Sequence, residues 1–186
     1  MLKQQGFSLF EMAIVLALSS ILMIAIMQFF PTFQRQWLFI YQKQRIMHIL
    51  NNAILPLYKD IKRAGFIAKI NIPTIGDAIQ ISSNGNCIII HYDLNRIGKW
   101  TIDAKDLSKI DTFAYRYAKN NVEYLAGAKN CESMGWEKLF DNKEINITQF
   151  HLSDHQSYLE IKMSGFLISD PDIVYSLTRM ISYENR

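Results

Sequence analysis

From Met12 to Gln34 the chain has no ionisable side chain. Those 23 residues would extend roughly 34 Å as an α-helix, and a bilayer's hydrocarbon core is about 30 Å thick. The run is therefore expected to cross a membrane. It also splits the chain unevenly, into an apolar head and a longer remainder that mixes charged and apolar residues. Immediately before the run stands an acid, Glu11. A charge within a membrane segment costs about 2.5–3.5 kcal/mol on insertion scales, so a bare anchor has no use for Glu11.

Three readings of residues 1–34 compete. A secretory signal peptide needs a short apolar region followed by a small-x-small cleavage site. Here the run is too long and ends in Met27-Gln28-Phe29-Phe30-Pro31. An ordinary membrane anchor accounts for the length but for neither Gly6 nor Glu11. A leader cut before the apolar run accounts for all three, and leaves the run in the mature protein.

The whole chain has 186 residues and a net charge of +3, which suits one domain besides the span. The part beyond the span, about 150 residues, can bury an ordinary core. No long basic run marks a dedicated nucleic-acid binder. Cys87 and Cys131 form no C-x-x-C pair, so a metal knuckle or thioredoxin-type motif is not expected. Two lone cysteines in a membrane-crossing chain suggest one disulfide in an oxidising compartment, two buried free thiols being the alternative.

Helical periodicity continues past the span. Apolar residues recur at Phe39, Ile46, Leu50, Ile54, Leu57 and Ile61, with Ala53 and Ala64 beside them. Lys43, Arg45, Asn52, Lys59 and Lys62 mostly avoid that face, and Gly65 is a natural stop. The spacing predicts one helix from about Phe7 to Ala64, apolar all round in its first half and amphipathic in its second. Pro31 and Pro56 should each kink or loosen it, and Pro31, near the change in composition, is a candidate hinge. From about Ala78 the pattern shifts to short segments that read as strands: "AIQI", "NCIIIHYD", "GKWTI", "TFAYRYA", "NVEYLAG", "INITQFHLS", "SYLEIKMSGFLI" and "IVYSLTRMISY". Turn signals separate them, at Ser83–Asn86, Lys119–Asn121, Ser153–Gln156 and Asp170–Asp172. The expected fold class is α+β, with one long N-terminal helix whose amphipathic half packs on an antiparallel sheet.

The head "KQQGFSLFE" resembles the type IV prepilin signal. It has a short leader with a basic residue, Lys3, then Gly6 before the cut, Phe7 as the new N-terminus and Glu11 as the fifth mature residue. Phe10 stands where leucine is commoner. The resemblance implies cleavage after Gly6 by an inner-membrane prepilin peptidase, methylation of the Phe7 amine, and a pairing of Glu11 with the positive amine of a neighbouring subunit. The body, "NGNCIIIHYDLNRIGKW" and "KNCESMGWEKLFDNKEINITQFHL", is similar to the prepilin peptidase-dependent protein B family of minor pilins, with Cys131, Gly135 and Trp136 as its best internal marker. That likeness implies a pilin-like fold and a low-abundance subunit that helps initiate a pilus or sits at its tip. The implied organisation is a leader over 1–6, a transmembrane assembly helix over 7–34, its amphipathic continuation over 35–65 and an antiparallel β domain over 66–186. Implied partners are the prepilin peptidase, other minor and major pilins and an inner-membrane assembly platform. The implied location is the bacterial inner membrane with a periplasmic domain, and later the extracellular pilus. Positive-inside counting opposes this orientation, because Arg35, Lys43 and Arg45 follow the span while only Lys3 and the amino terminus precede it. The leader and the cysteine pair outweigh it.

Two other classes of function stand beside the minor pilin. One keeps the leader and fold as the J-type minor pseudopilin of type II secretion. The other is a tip module binding DNA or a surface ligand, for which Lys59, Lys62 and Arg63 form a small basic cluster. A solvated helix end whose charge suits the C-terminal dipole explains that cluster as well. Asp93-Leu94-Asn95-Arg96-Ile97-Gly98 resembles the opening of a calcium loop, but Ile97 fills an oxygen slot and Ala104 stands where the closing Glu belongs. A tight turn explains Asn95 and Gly98 equally. His48, His91, His151 and His155 form no ligand pattern, and Trp100, Tyr115, Tyr117 and Trp136 are expected in the sheet core or on its surface. No metal, cofactor or enzymatic motif is expected.

Overall fold

The computed structural model describes residues 8–68, 77–100 and 110–182. Gly6 and Phe7 lie outside them. The chain divides into two compact units, Met1–Gln42 and Lys43–Arg186. Helix α1, Leu9–Arg63, begins in the first and ends in the second, and contains both Pro31 and Pro56.

In the second unit α1 presents the expected stripe. Ile46, Leu50, Ile54, Leu57 and Ile61 are all buried, at spacings of three and four that bring them onto one face. Phe39 remains half exposed, outside the buried stripe. The helix stops at Arg63 because Gly65 takes a left-handed φ of 77°, which costs glycine nothing. The Gly65 N–H then leaves the helix and donates to the His91 carbonyl at 2.9 Å.

All strand pairing is antiparallel, but the strands form two sheets where one was expected. The first contains β1 (Ile79–Ile81), β2 (Cys87–His91), β3 (Thr112–Ala118), β4 (Asn121–Ala126) and β5 (Glu137–Lys138) in sequential order. The second contains β6 (Ile145–Asp154), β7 (Tyr158–Leu167) and β8 (Asp170–Ser182). Lys119 and Asn120 link β3 to β4 with φ of 50° and 57°, as a two-residue primed turn requires. The strand expected over 98–102 is absent from Gly98–Trp100, and 101–109 lie outside the described residues.

The division occurs where β5 is only two residues long and a turn follows, closed by the Ile145 N–H on the Asp141 carbonyl at 3.0 Å. Backbone bonds still join the sheets. The Leu152 N–H donates to Gly85 at 2.8 Å and the Ile147 N–H to Asn120 at 2.9 Å, so two hairpin turns dock on β6. Gly85 is needed there: its φ is +69°, and a Cβ would stand 2.4 Å from the His151 ring. One apolar core gathers the α1 stripe with Ile88, Ile90 and Tyr115 of the first sheet and Ile147, Leu159 and Ile161 of the second. This is the α+β architecture expected of a pilin-like chain.

Candidate assembly helix and the domain that holds its end

The first unit shows how an acid can stand at the head of an apolar helix. Ser8 precedes α1 as its N-cap. Its Oγ accepts from the Phe10 N–H at 3.3 Å, while its own N–H donates to Glu11 Oε2 at 3.0 Å. This reciprocal capping box satisfies groups that a helix start leaves open, and it holds the carboxylate at the positive end of the helix dipole. Sequence reasoning named Glu11 but missed Ser8, although S-x-x-E before an apolar run is the usual signal.

No residue of α1 before Ile46 is buried in the chain. The segment is long and apolar enough to cross a membrane. Its two serines are self-satisfied: Ser19 Oγ donates to the Leu16 carbonyl at 3.0 Å and Ser20 Oγ to the Ala17 carbonyl at 2.8 Å. Such back-bonding is what hydrocarbon surroundings demand. Stacked Phe29–Phe33 and Trp37–Tyr41 pairs, with centroids 6.4 and 5.7 Å apart, close the run with aromatic rings. Rings of that kind favour a membrane interface. Pro31 lies between Phe29 and Phe33; lacking an N–H, it leaves the carbonyl one turn earlier without its helical donor.

In the second unit an unforeseen acid ties α1 to the first sheet. Asp60 lies on the apolar stripe between Leu57 and Ile61 and is buried. Tyr115 of β3 donates its hydroxyl to Asp60 Oδ2 at 2.7 Å, and Tyr92 donates to Oδ1 at 3.0 Å. Burial raises the Asp60 pKa above its ordinary value; the two tyrosine hydrogen bonds and the nearby Arg63 charge pull the other way. Both tyrosines are pushed up in turn, chiefly by burial and then by the Asp60 charge. In-phase spacing with Leu57 and Ala64 was the available signal, masked by the expectation that a stripe is apolar.

The would-be calcium loop serves the fold. Asp93 turns inward, accepting from the Ala68 and Gly98 amides on Oδ2 at 3.2 and 2.8 Å and from Ile97 on Oδ1 at 2.9 Å. Burial alone would raise its pKa, but these amides together with that of Arg96 hold it below the usual value. A carboxylate committed to four amides is a turn-former with little left for a cation.

Cys87 and Cys131 are joined in a disulfide, with Cα atoms 6.2 Å apart. The bridge fastens the Cys131–Trp136 loop over the far face of the first sheet, where Ile89, Ala114 and Ala128 form a second small apolar cluster. Arg116 organises that loop. Its Nε and Nη2 donate to Glu123 Oε2 at 2.9 and 2.8 Å, its Nη1 donates to the Cys131 carbonyl at 2.9 Å, and its guanidinium stacks 4.2 Å from the Trp136 ring centre. Arg116 and Glu123 face each other because the Lys119–Asn120 turn sets the β3–β4 register.

The remaining candidates separate. Lys62 donates to Ser182 Oγ at 3.0 Å and Arg63 lies 5.9 Å over the Tyr92 ring, so two members of the basic cluster are engaged within the fold. Tyr115 is buried, Tyr117 donates to the Ile147 carbonyl at 3.0 Å, and Trp100 stacks on His91. The four histidines are not brought together, and among the described residues no group of three or more His, Cys, Asp or Glu is arranged to hold a metal.

Comparison with known proteins joins these features. Residues 39–183 match the family model described as prepilin peptidase-dependent protein B, and residues 1–27 match the prokaryotic N-terminal methylation motif. Prepilin peptidase-dependent protein B of Escherichia coli (strain K12) is 30% identical, over 95% of this chain and 96% of that one. An uncharacterised protein of Haemophilus influenzae is 27% identical, over 74% of this chain and 78% of its own. No solved structure matches the chain. An apolar helix behind a methylation motif, followed by a disulfide-closed α+β body that the family model spans, identifies this chain as a member of the prepilin peptidase-dependent protein B family.

Proposed function

We propose that this chain is a minor type IV pilin, cut after Gly6 by a prepilin peptidase, methylated at Phe7 and used to initiate a pilus or to form its tip. The observation that carries the reading is the capped acid at the start of an apolar helix that stays unburied up to Ile46. Among the described residues that helix surface has no protein partner before Ile46, and Glu11 meets its own helix start at Ser8. Packing against the helices of other minor and major pilins covers the surface. The amine created at a neighbour's Phe7 gives Glu11 a charged partner, and that pairing sets how far one apolar helix slides along another. Before assembly the inner membrane holds the helix, with the disulfide-closed domain on the periplasmic side and Pro31 acting as the hinge between membrane-bound and assembled forms.

The test is processing and assembly in the native cell. Gly6→Ala, or a bulkier replacement, is expected to leave the unprocessed precursor in the membrane fraction and to abolish the chain's contribution to piliation. Cleavage and normal pili in that variant would overturn the reading.

A further inference from the structure

Among the described residues, three of the four sheet edges are short or covered. β1 and β5, the edges of the five-stranded sheet, are three and two residues long. The outer side of β6 receives the backbone of Gly85 and Asn120. β8 differs. It is 13 residues long and lies at the edge of its sheet, and among the described residues no backbone hydrogen bond from another element reaches its outer side. A row of open N–H and C=O groups is matched by another extended backbone, and proteins usually guard such edges with charge, proline or bulges. Asp170, Pro171, Asp172 and a register shift against β7 guard the start of β8, whereas the stretch from Ile173 to Thr178 has no charge.

A second feature adjoins this edge. A mainly apolar groove of about 390 Å³ runs between Ile54, Leu55 and Tyr58 of α1 and Ile181 of β8. Its lining carries one cation, Arg179, whose Nη2 donates to Asn51 Oδ1 at 2.6 Å, and among the described residues no acid lines it. A strand added to β8 would alternate its side chains, one row lying beside exposed Val174 and Met180 and the other entering the groove.

We infer that the outer edge of β8 and this groove receive an extended strand from a different prepilin-type subunit, apolar at alternate positions and carrying an acid that meets Arg179. Backbone pairing supplies affinity, and the groove and Arg179 select the strand. The identity of the partner rests on the minor-pilin reading: α1 is the helix along which subunits pack, and its Asn51–Tyr58 segment forms one wall of the groove.

The test uses the full chain, produced in cells with their other prepilin-type subunits and carrying a photo-reactive residue at Thr178, which is exposed on β8. A second probe at Ile24 reads helix packing separately. The expected product at Thr178 is an adduct mapped by mass spectrometry to an extended segment of a different prepilin-type subunit. That adduct is lost when Val174→Lys and Met180→Lys are combined, with thermal unfolding unchanged. Adducts at Ile24 with none at Thr178 would overturn the strand docking and leave the pilin reading standing. An adduct at Thr178 to a second copy of this chain, or one that survives both lysines, would overturn the proposed occupant. Silence at both positions would overturn both readings.

Discussion

The Ser8 N–H donates to Glu11 Oε2 at 3.0 Å, so the acid at the head of the apolar run is bound before any neighbour arrives. On the proposed pairing, assembly therefore exchanges an internal partner of Glu11 for an external one. Glu11→Ala removes both and is expected to leave cleavage intact while the chain fails to enter filaments, measured by its fraction in sheared pili. Ser8→Ala removes only the hydroxyl cap, which is typically worth about 1 kcal/mol. Faster amide exchange over Leu9–Met12, with Glu11 still able to pair, is the expected outcome.

Asp60 is expected to be the least replaceable polar residue of the folded domain. Asp60→Ala strands the Tyr92 and Tyr115 hydroxyls, and a buried group left without its partner costs about 1–3 kcal/mol. For a chain of this size each kcal/mol moves Tm by about 2–4 °C. Asp60→Asn keeps an acceptor and removes the buried charge, so it should melt much closer to the parent. Equal losses in the two variants would show that the charge itself holds α1 to the sheet.

Much of this arrangement was legible in the sequence, because burial imposes period on long elements. The stripe from Ile46 to Ile61 and the alternation in β7 mark a helix face and a strand, whereas β3 is buried on both faces at its start and shows its alternation in residue type alone. Sheet membership has no comparable signature. β5 is two residues without alternation, and the ladder of β6 shifts register between Ile147 and Gln149, so nothing local says that one sheet ends and another begins. The candidate site divides in the same way. Glu11 stands out by its charge and Ser8 by the local S-x-x-E spacing, whereas Asp60 and Arg116 depend on partners that only the fold or a turn register brings near. Arg116 and Glu123 were recoverable in principle by folding the hairpin about Lys119–Asn120.

The disulfide should contribute a large share of the domain's stability. It joins residues 44 apart, for which the chain-entropy estimate is about 4 kcal/mol. Reduction, or Cys87→Ala with Cys131→Ala, should lower Tm strongly and free the loop over Ile89 and Ala114. Trp136 fluorescence should then respond before the global transition, since Arg116 would lose the tethered Cys131 carbonyl that helps fix it. Coincident loop and global transitions would mean that Arg116 and Glu123 hold the loop without the bridge.

Acid should weaken the fold well above the carboxylate range, through His91. Its ring is buried, stacks on Trp100 and has Nδ1 3.0 Å from Thr112 Oγ1. Burial lowers its pKa from the ordinary 6.5. The unfolded chain therefore takes up the proton first as pH falls. The stabilisation from neutral His91 is complete above about pH 6.5 and is lost as pH falls through the depressed folded value, at no more than about 1.4 kcal/mol per pH unit for one proton. Asp60 has the opposite sign: its raised pKa favours the fold below the ordinary 3.8 and loses that contribution as pH rises through the folded value. The difference between parent and His91→Gln isolates the imidazole, since Asp60 is common to both. Thermal melts at pH 7.5, 6.5 and 5.5 should show the parent losing stability relative to His91→Gln as pH falls. Parallel curves would assign the acid response to another group.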